Sequence, residues 1–155
     1  MIVKLATMTA DEINELLREQ LLCRIAFKDA EYPYIAPFQY VYLKDTLYFH
    51  FTDYGKKMRL LQRDNRVCVE IEKIQPDMSD YTFVSLRGTL KIVDNPTERE
   101  TAIRRLAEDG QNKLSTNFLA AHGLEPEAGW PSFTTEKPLL IFKLEILEKI
   151  GVKSP

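Results

Sequence analysis

The sequence predicts a mainly β fold, a six-stranded antiparallel β-barrel with helices at its periphery. Three observations carry this. Segments rich in β-branched and aromatic residues recur at 22–27, 34–43, 46–51, 66–74, 81–93 and 138–150, bounded by turn-forming residues. The two clearest helical patterns stand outside this series, one before the first strand and one after the fifth. Gly88 interrupts the long fifth strand, where a barrel would bend or bulge to turn a corner.

Along the chain, Thr9-Ala10-Asp11-Glu12 forms a capping-box pattern, and Ile13, Leu16, Leu17 and Leu21 follow at helical spacing, so a helix is expected over 10–21. The strand Leu22–Phe27 ends in the polar stretch before Pro33, and the next strand runs from Tyr34 to Leu43. Pro37 has no N–H for a ladder and therefore places its strand at an edge or an interruption. Lys44-Asp45 supplies a two-residue turn into Thr46–Phe51. Asp53 is the expected N-cap of a short helix carrying Met58, Leu60 and Leu61. In the strand 66–74, Val67, Val69 and Ile71 share one face, and Cys68 and Glu70 the other. Asn95-Pro96-Thr97-Glu98 opens a second long helix over 96–108 that stops near Gly110. A short helix over 114–122, a long loop holding Trp130 and a final strand complete the chain.

The chain of 155 residues, 45% hydrophobic, is expected to form one domain over 1–155 that buries roughly 70% of the surface its unfolded form exposes. With 21 Lys and Arg against 23 Asp and Glu, the net charge of −2 argues against a strongly basic nucleic-acid binder. No apolar run approaches a membrane span and residues 1–10 lack signal-peptide features, so a soluble, cytoplasmic protein is expected. Cys23 and Cys68 have no metal-like spacing and are read as buried free thiols; no metal site is expected.

Three features could carry chemistry. Lys56 and Lys57 stand at the start of the short helix, where free amides and the helix dipole would favour a phosphate. The same lysines, with Arg59, Arg63 and Arg66, could equally form a solvated face, or a stripe for a polyanion. His50 lies between two phenylalanines in a strand, where core or interface packing is the simpler reading, and His122 next to Gly123 reads as a helix-end residue. Nine aromatic residues within the 23 positions from Tyr32 to Tyr54 read mainly as cross-strand packing, although a planar ligand would fit such a wall. Neither Ser85 nor Ser132 sits in a G-x-S-x-G frame, which disfavours hydrolase chemistry.

Taken in order, Arg24-Ile25-Ala26-Phe27, Pro33 to Phe38, Tyr48-Phe49-His50, Gly55-Lys56-Lys57 with Leu61, Asn65-Arg66-Val67-Cys68, Val84 to Gly88 and Phe142 to Val152 form a pattern spanning nearly the whole chain. In this pattern the chain resembles the FMN-binding split β-barrel family of pyridoxamine 5′-phosphate oxidase, nearest the nitroimidazole-resistance flavoproteins. The resemblance implies a homodimer with FMN at the subunit interface and small-molecule electron donors and acceptors; the net charge and the lack of a long apolar run set aside nucleic acid and membrane as partners. It implies that the backbone of Ile35, Ala36, Pro37 and Phe38 borders the flavin, that His50, Phe51 and Thr52 lie against the ring and ribityl chain, and that Lys56 and Lys57 hold the phosphate. Lys57 is the better match of the two. Trp130 is matched to an aromatic residue that covers the flavin from the second subunit. Phe83 stands where relatives often place Ser or Gln, leaving Ser85 as the substitute polar contact. The tail 149–155 lacks the basic and histidine residues that hold substrate phosphate in pyridoxamine 5′-phosphate oxidases, so that activity is not expected. The resulting expectation is an FMN-dependent oxidoreductase reducing a small planar acceptor such as a nitroaromatic, with His50 donating a hydrogen bond or positioning the acceptor. A non-catalytic protein that binds FMN or a related cofactor is the alternative.

Overall fold

In the computed structural model, which describes residues 1–155, the elements follow the order β1 (Ala6–Thr7), α1 (Ala10–Glu19), β2 (Leu22–Phe27), β3 (Tyr34–Gln39), β4 (Val41–Leu43), β5 (Thr46–Phe51), α2 (Lys56–Arg63), β6 (Arg66–Ile74), β7 (Tyr81–Ile92), α3 (Pro96–Lys113) and β8 (Leu140–Lys153). Between α3 and β8 run three 3-10 turns, Thr116–His122, Pro126–Ala128 and Trp130–Ser132. All strand pairings are antiparallel, in the order β3-β2-β6-β7-β8-β5-β4, with β1 added to β8. β3 and β5 approach each other but share no ladder, so the sheet curls into a barrel with a split along that seam. This is the mainly β split-barrel architecture the sequence predicts.

The strand count rises from six to eight for two local reasons. The expected strand 34–43 breaks at Tyr40, whose N–H donates to the Leu21 carbonyl at 3.0 Å while its hydroxyl donates to the Leu17 carbonyl at 2.8 Å. Those bonds tie Tyr40 to α1 and its C-terminal exit, and the chain turns there so that β4 can pair with β5. The second addition is β1, which pairs Ala6 with Lys153 and Thr7 with Val152. With β7 on its other side, β8 is held on both edges and runs beyond residue 150 to Lys153.

The capping box forms as read: the Glu12 N–H donates to Thr9 Oγ1 at 3.2 Å, and the Thr9 N–H to Glu12 Oε1 at 2.9 Å. Asp53, however, does not cap α2. The chain bends after Thr52, whose hydroxyl donates to the Tyr54 carbonyl at 2.9 Å, and Gly55 with φ 94° takes the cap position without any side-chain acceptor. The register shift between Arg87 and Gly88 is the expected bulge, and a side chain at Gly88 would run into the Glu145 backbone. α3 does not stop near Gly110 but continues to Lys113, because Gly110 serves packing: the Trp130 ring occupies the space its side chain would take. Cys23 is buried, whereas Cys68 is exposed, a correction to its expected burial. The alternation of β6 turns Val67, Val69 and Ile71 into the barrel and Cys68 out.

Two cores result. Inside the barrel, Leu17, Ile25, Phe27, Leu47, Phe49, Val69, Ile71 and Leu86 are essentially inaccessible, each burial stabilising by about 1.5–3 kcal/mol. The second core joins β4, β5 and β8 to α3 through Val41, Tyr48, Ile103, Leu106, Leu119, Trp130 and Ile141. Strand β5 lies between the two. Leu47, Phe49 and Phe51 face the barrel, while Tyr48 faces α3, and His50 follows it on that side.

Candidate functional site

The split brings three parts of the chain to one cleft. Pro37, Phe38 and Gln39 come from β3, His50, Phe51 and Thr52 from the end of β5, and Lys57 from α2. Phe118, Ala121 and His122 of the first 3-10 turn close its far side. Gly123 makes that placement possible: its φ of 76° is left-handed, and a Cβ there would lie 2.8 Å from the Tyr54 hydroxyl. Within one chain the cleft encloses only about 20 Å³.

Its floor is a buried polar chain. His50 and His122 meet Nδ1 to Nδ1 at 3.0 Å, His122 Nε2 lies 2.7 Å from Gln39 Oε1, and Gln39 Nε2 donates to the Leu106 carbonyl at 2.9 Å. Aromatic rings surround the pair. Phe133 packs edge-on against both histidines, at 5.3 and 4.9 Å between centroids, and Phe118 and Trp130 flank His122 at 5.8 and 5.9 Å. Burial, reinforced by the charge of Lys57, lowers the His50 pKa to about 4; burial, then His50 and Lys57, lowers that of His122 to about 3. Both rings are neutral at pH 7. His122 is a helix-end residue as expected, but its pairing with His50 across 72 positions has no local sequence signal, and Gln39 was not singled out either.

The two lysines differ. Lys57 is half-buried, its Nζ lies 4.8 Å from the centre of the Phe38 ring, and it makes no ion pair, while burial lowers its pKa. Lys56 points away to Asp29 at 3.6 Å and lies over Tyr34 at 4.6 Å. Asp29 also approaches Arg63 at 4.0 Å, and Asp64 pairs with both Arg66 and Lys28. Much of the basic stripe is therefore neutralised locally. The first-turn amides of α2, lacking a side-chain cap, remain available to an anion beside Lys57.

The other expected residues divide. β3 is the terminal strand of the sheet, as Pro37 requires; Ile35 and Pro37 point outward and Ala36 and Phe38 inward. Thr52 borders the cleft, whereas the Phe51 ring turns into the barrel against Phe38 at 4.8 Å. Ser85 and Phe83 occupy the outward face of β7 and do not line this cleft. Trp130 corrects an expectation. It is 2% exposed, packed on Gly110 with its indole N–H donating to the Leu114 carbonyl at 3.3 Å. Such a side chain has no face free to cover a ligand and instead walls the histidine pair from behind.

A neutral imidazole, an unpaired cation, helix-start amides and an open strand edge together suit an anionic, partly aromatic ligand. The chain matches the pyridoxamine 5′-phosphate oxidase family over residues 9–125. No curated protein sequence matches it. Among solved structures it is similar to an FAD-binding protein from Mesorhizobium loti, with 18% identity, coverage of 99% of this chain and 100% of that one, and a TM-score of 0.72. A putative 5-nitroimidazole antibiotic resistance protein from Bacteroides thetaiotaomicron has 20% identity, coverage of 97% and 87%, and a TM-score of 0.62. The heme storage protein of Vibrio cholerae has 13% identity, coverage of 93% and 94%, and a TM-score of 0.65. The fold is thus that of the split barrels. The chain belongs to the pyridoxamine 5′-phosphate oxidase family.

Proposed function

We propose that this protein binds FMN along the split between β3 and β5 and is an oxidoreductase that passes electrons from a reduced donor to a small planar acceptor such as a nitroaromatic. The observation that carries the reading is Lys57, a half-buried cation without an acidic partner, set at the uncapped start of α2 beside the free edge of β3. Family membership and the likeness to an FAD-binding protein and a nitroimidazole-resistance protein support it.

The residues fit the group. Lys57 and the first-turn amides of α2 hold the phosphate dianion, with Lys56 adding a more distant charge. The outward edge at Ile35 and Pro37 borders the ring, and His50 and Thr52 line its approach. FMN, when bound, supplies reversible electron transfer, and the chain supplies binding, orientation and exclusion of water. An enclosed space of about 20 Å³ is too small for a three-ring system, so a second copy completes the pocket. Exposed Ile35, Leu147 and Ile150, and a groove of about 620 Å³ lined by Pro33, Arg66, Arg87 and Leu147 among others, support a homodimer, with Phe83 and Ser85 on the outward face available to the partner's flavin.

Absorbance of aerobically purified protein, before and after added FMN, tests the cofactor: about one flavin per subunit is expected. Bleaching by a reduced nicotinamide and recovery with a nitroaromatic would establish turnover. Bound flavin without recovery would leave a binding protein, and a protein that rejects FMN would overturn the reading.

A further inference from the structure

The polar chain under the cleft permits a complete proton assignment. The Leu106 carbonyl can only accept, so the Gln39 amide must turn its Nε2 toward it; the opposite orientation would set two oxygens 2.9 Å apart. Gln39 Oε1 is then an acceptor, and the His122 Nε2 that lies 2.7 Å away must carry a proton. A neutral His122 consequently has a bare Nδ1, so the proton in the 3.0 Å contact belongs to His50 Nδ1. His50 is thereby left with a bare Nε2, which has no hydrogen-bond partner in the chain and is not fully enclosed.

The geometry points to Gln39 and His122 as positioning residues that hold His50 in the Nδ1–H tautomer, so that it presents a hydrogen-bond acceptor to the cleft and takes a ligand edge bearing an N–H or O–H donor. This replaces the donating role expected for His50 from the sequence. The matching ligand edge in this cleft turns an N–H or O–H toward His50 Nε2, as the N–H of an imide or amide would. Only the identification of that ligand as FMN rests on the function proposed above; the proton positions follow from the chain's own bonds.

The chain contains only two histidines, so ¹⁵N imidazole spectra of the ligand-free protein read the assignment directly. At pH 7 the expected result is two neutral rings of opposite tautomer, His50 protonated at Nδ1 and His122 at Nε2, with the signals assigned through a His122→Asn variant. Equal tautomers, or the reverse pair, would overturn the proposal. Gln39→Met, of similar volume, removes the acceptor for the His122 Nε2 proton and is expected to release both rings from their single tautomers. A purely structural Gln39 would leave both tautomers unchanged. Should that variant not fold, the wild-type spectrum still decides. On adding FMN, the bare His50 Nε2 signal is expected to shift toward the protonated-nitrogen range. FMN binding, followed by flavin fluorescence, without that shift would refute the donor-bearing edge. Failure of FMN to bind would refute the flavin reading, while the ligand-free spectrum would still decide the tautomers.

Discussion

The ammonium of Lys57 lies 4.8 Å from the centre of the Phe38 ring, a cation half-withdrawn from water with an aromatic face in place of a counter-ion. An anion placed at the start of α2 would therefore meet a charge that is already positioned and partly desolvated. Its neighbour Lys56 is held by Asp29 and is the more exposed of the two.

From this asymmetry, Lys57→Ala is expected to weaken FMN binding by about 1.5–3 kcal/mol, the range for hydrogen bonds to charged groups, or roughly 10- to 150-fold. Lys56→Ala should cost distinctly less. Flavin fluorescence titrations of the two variants make the comparison, and equal losses would place the phosphate between the lysines instead of at Lys57.

The histidine pair ties stability to pH. In the folded protein the two pKa values are lowered to about 4 and about 3, against an ordinary value of 6.5 in the unfolded chain. As the pH falls below 6.5 the unfolded state takes up protons that the folded state refuses. Stability is therefore fully present above 6.5, declines through pH 4 and levels only below 3, with each ring contributing on the order of 3–5 kcal/mol. Glu98, held below its usual 4.5 by the Tyr48 hydroxyl and then Lys143, adds its own loss only at the acid end of this range. Urea melts across pH 4–7 of wild type and His50→Phe check the assignment. A variant with the same slope as wild type would remove His50 from the account.

Gly110→Ala is expected to destabilise by about 1–3 kcal/mol through overpacking, since its methyl would intrude on the Trp130 ring. At this chain length each kcal/mol corresponds to roughly 2–4 °C in Tm, so a thermal melt resolves the effect. An unchanged Tm would mean that the loop carrying Trp130 gives way easily.

Gly123→Ala should act on both stability and the site. The left-handed backbone disfavours alanine by about 1 kcal/mol, and the added Cβ crowds the Tyr54 hydroxyl. The turn carrying Phe118 and His122 would be displaced from the cleft. A reduced Tm together with weaker FMN binding is expected, and a change in Tm alone would show that this turn contributes nothing to the ligand site.

The sequence by itself determined the features that depend on near neighbours. The Thr9–Glu12 box, the Asn95-Pro96 helix start, the Gly88 bulge and the outward turn of Pro37 on a terminal strand all arise from local backbone chemistry, which a short window contains. The tertiary structure decided what depends on distant partners. Tyr40 breaks a strand because its bonds run to Leu17 and Leu21, and the fate of Trp130 depends on Gly110. His50 and His122, 72 positions apart, are joined only because β5 turns one face toward α3 while Gly123 folds the 3-10 turn over the split. Hydrogen bonds and burial act through space, and at those separations residue identity alone carries no record of which groups will meet.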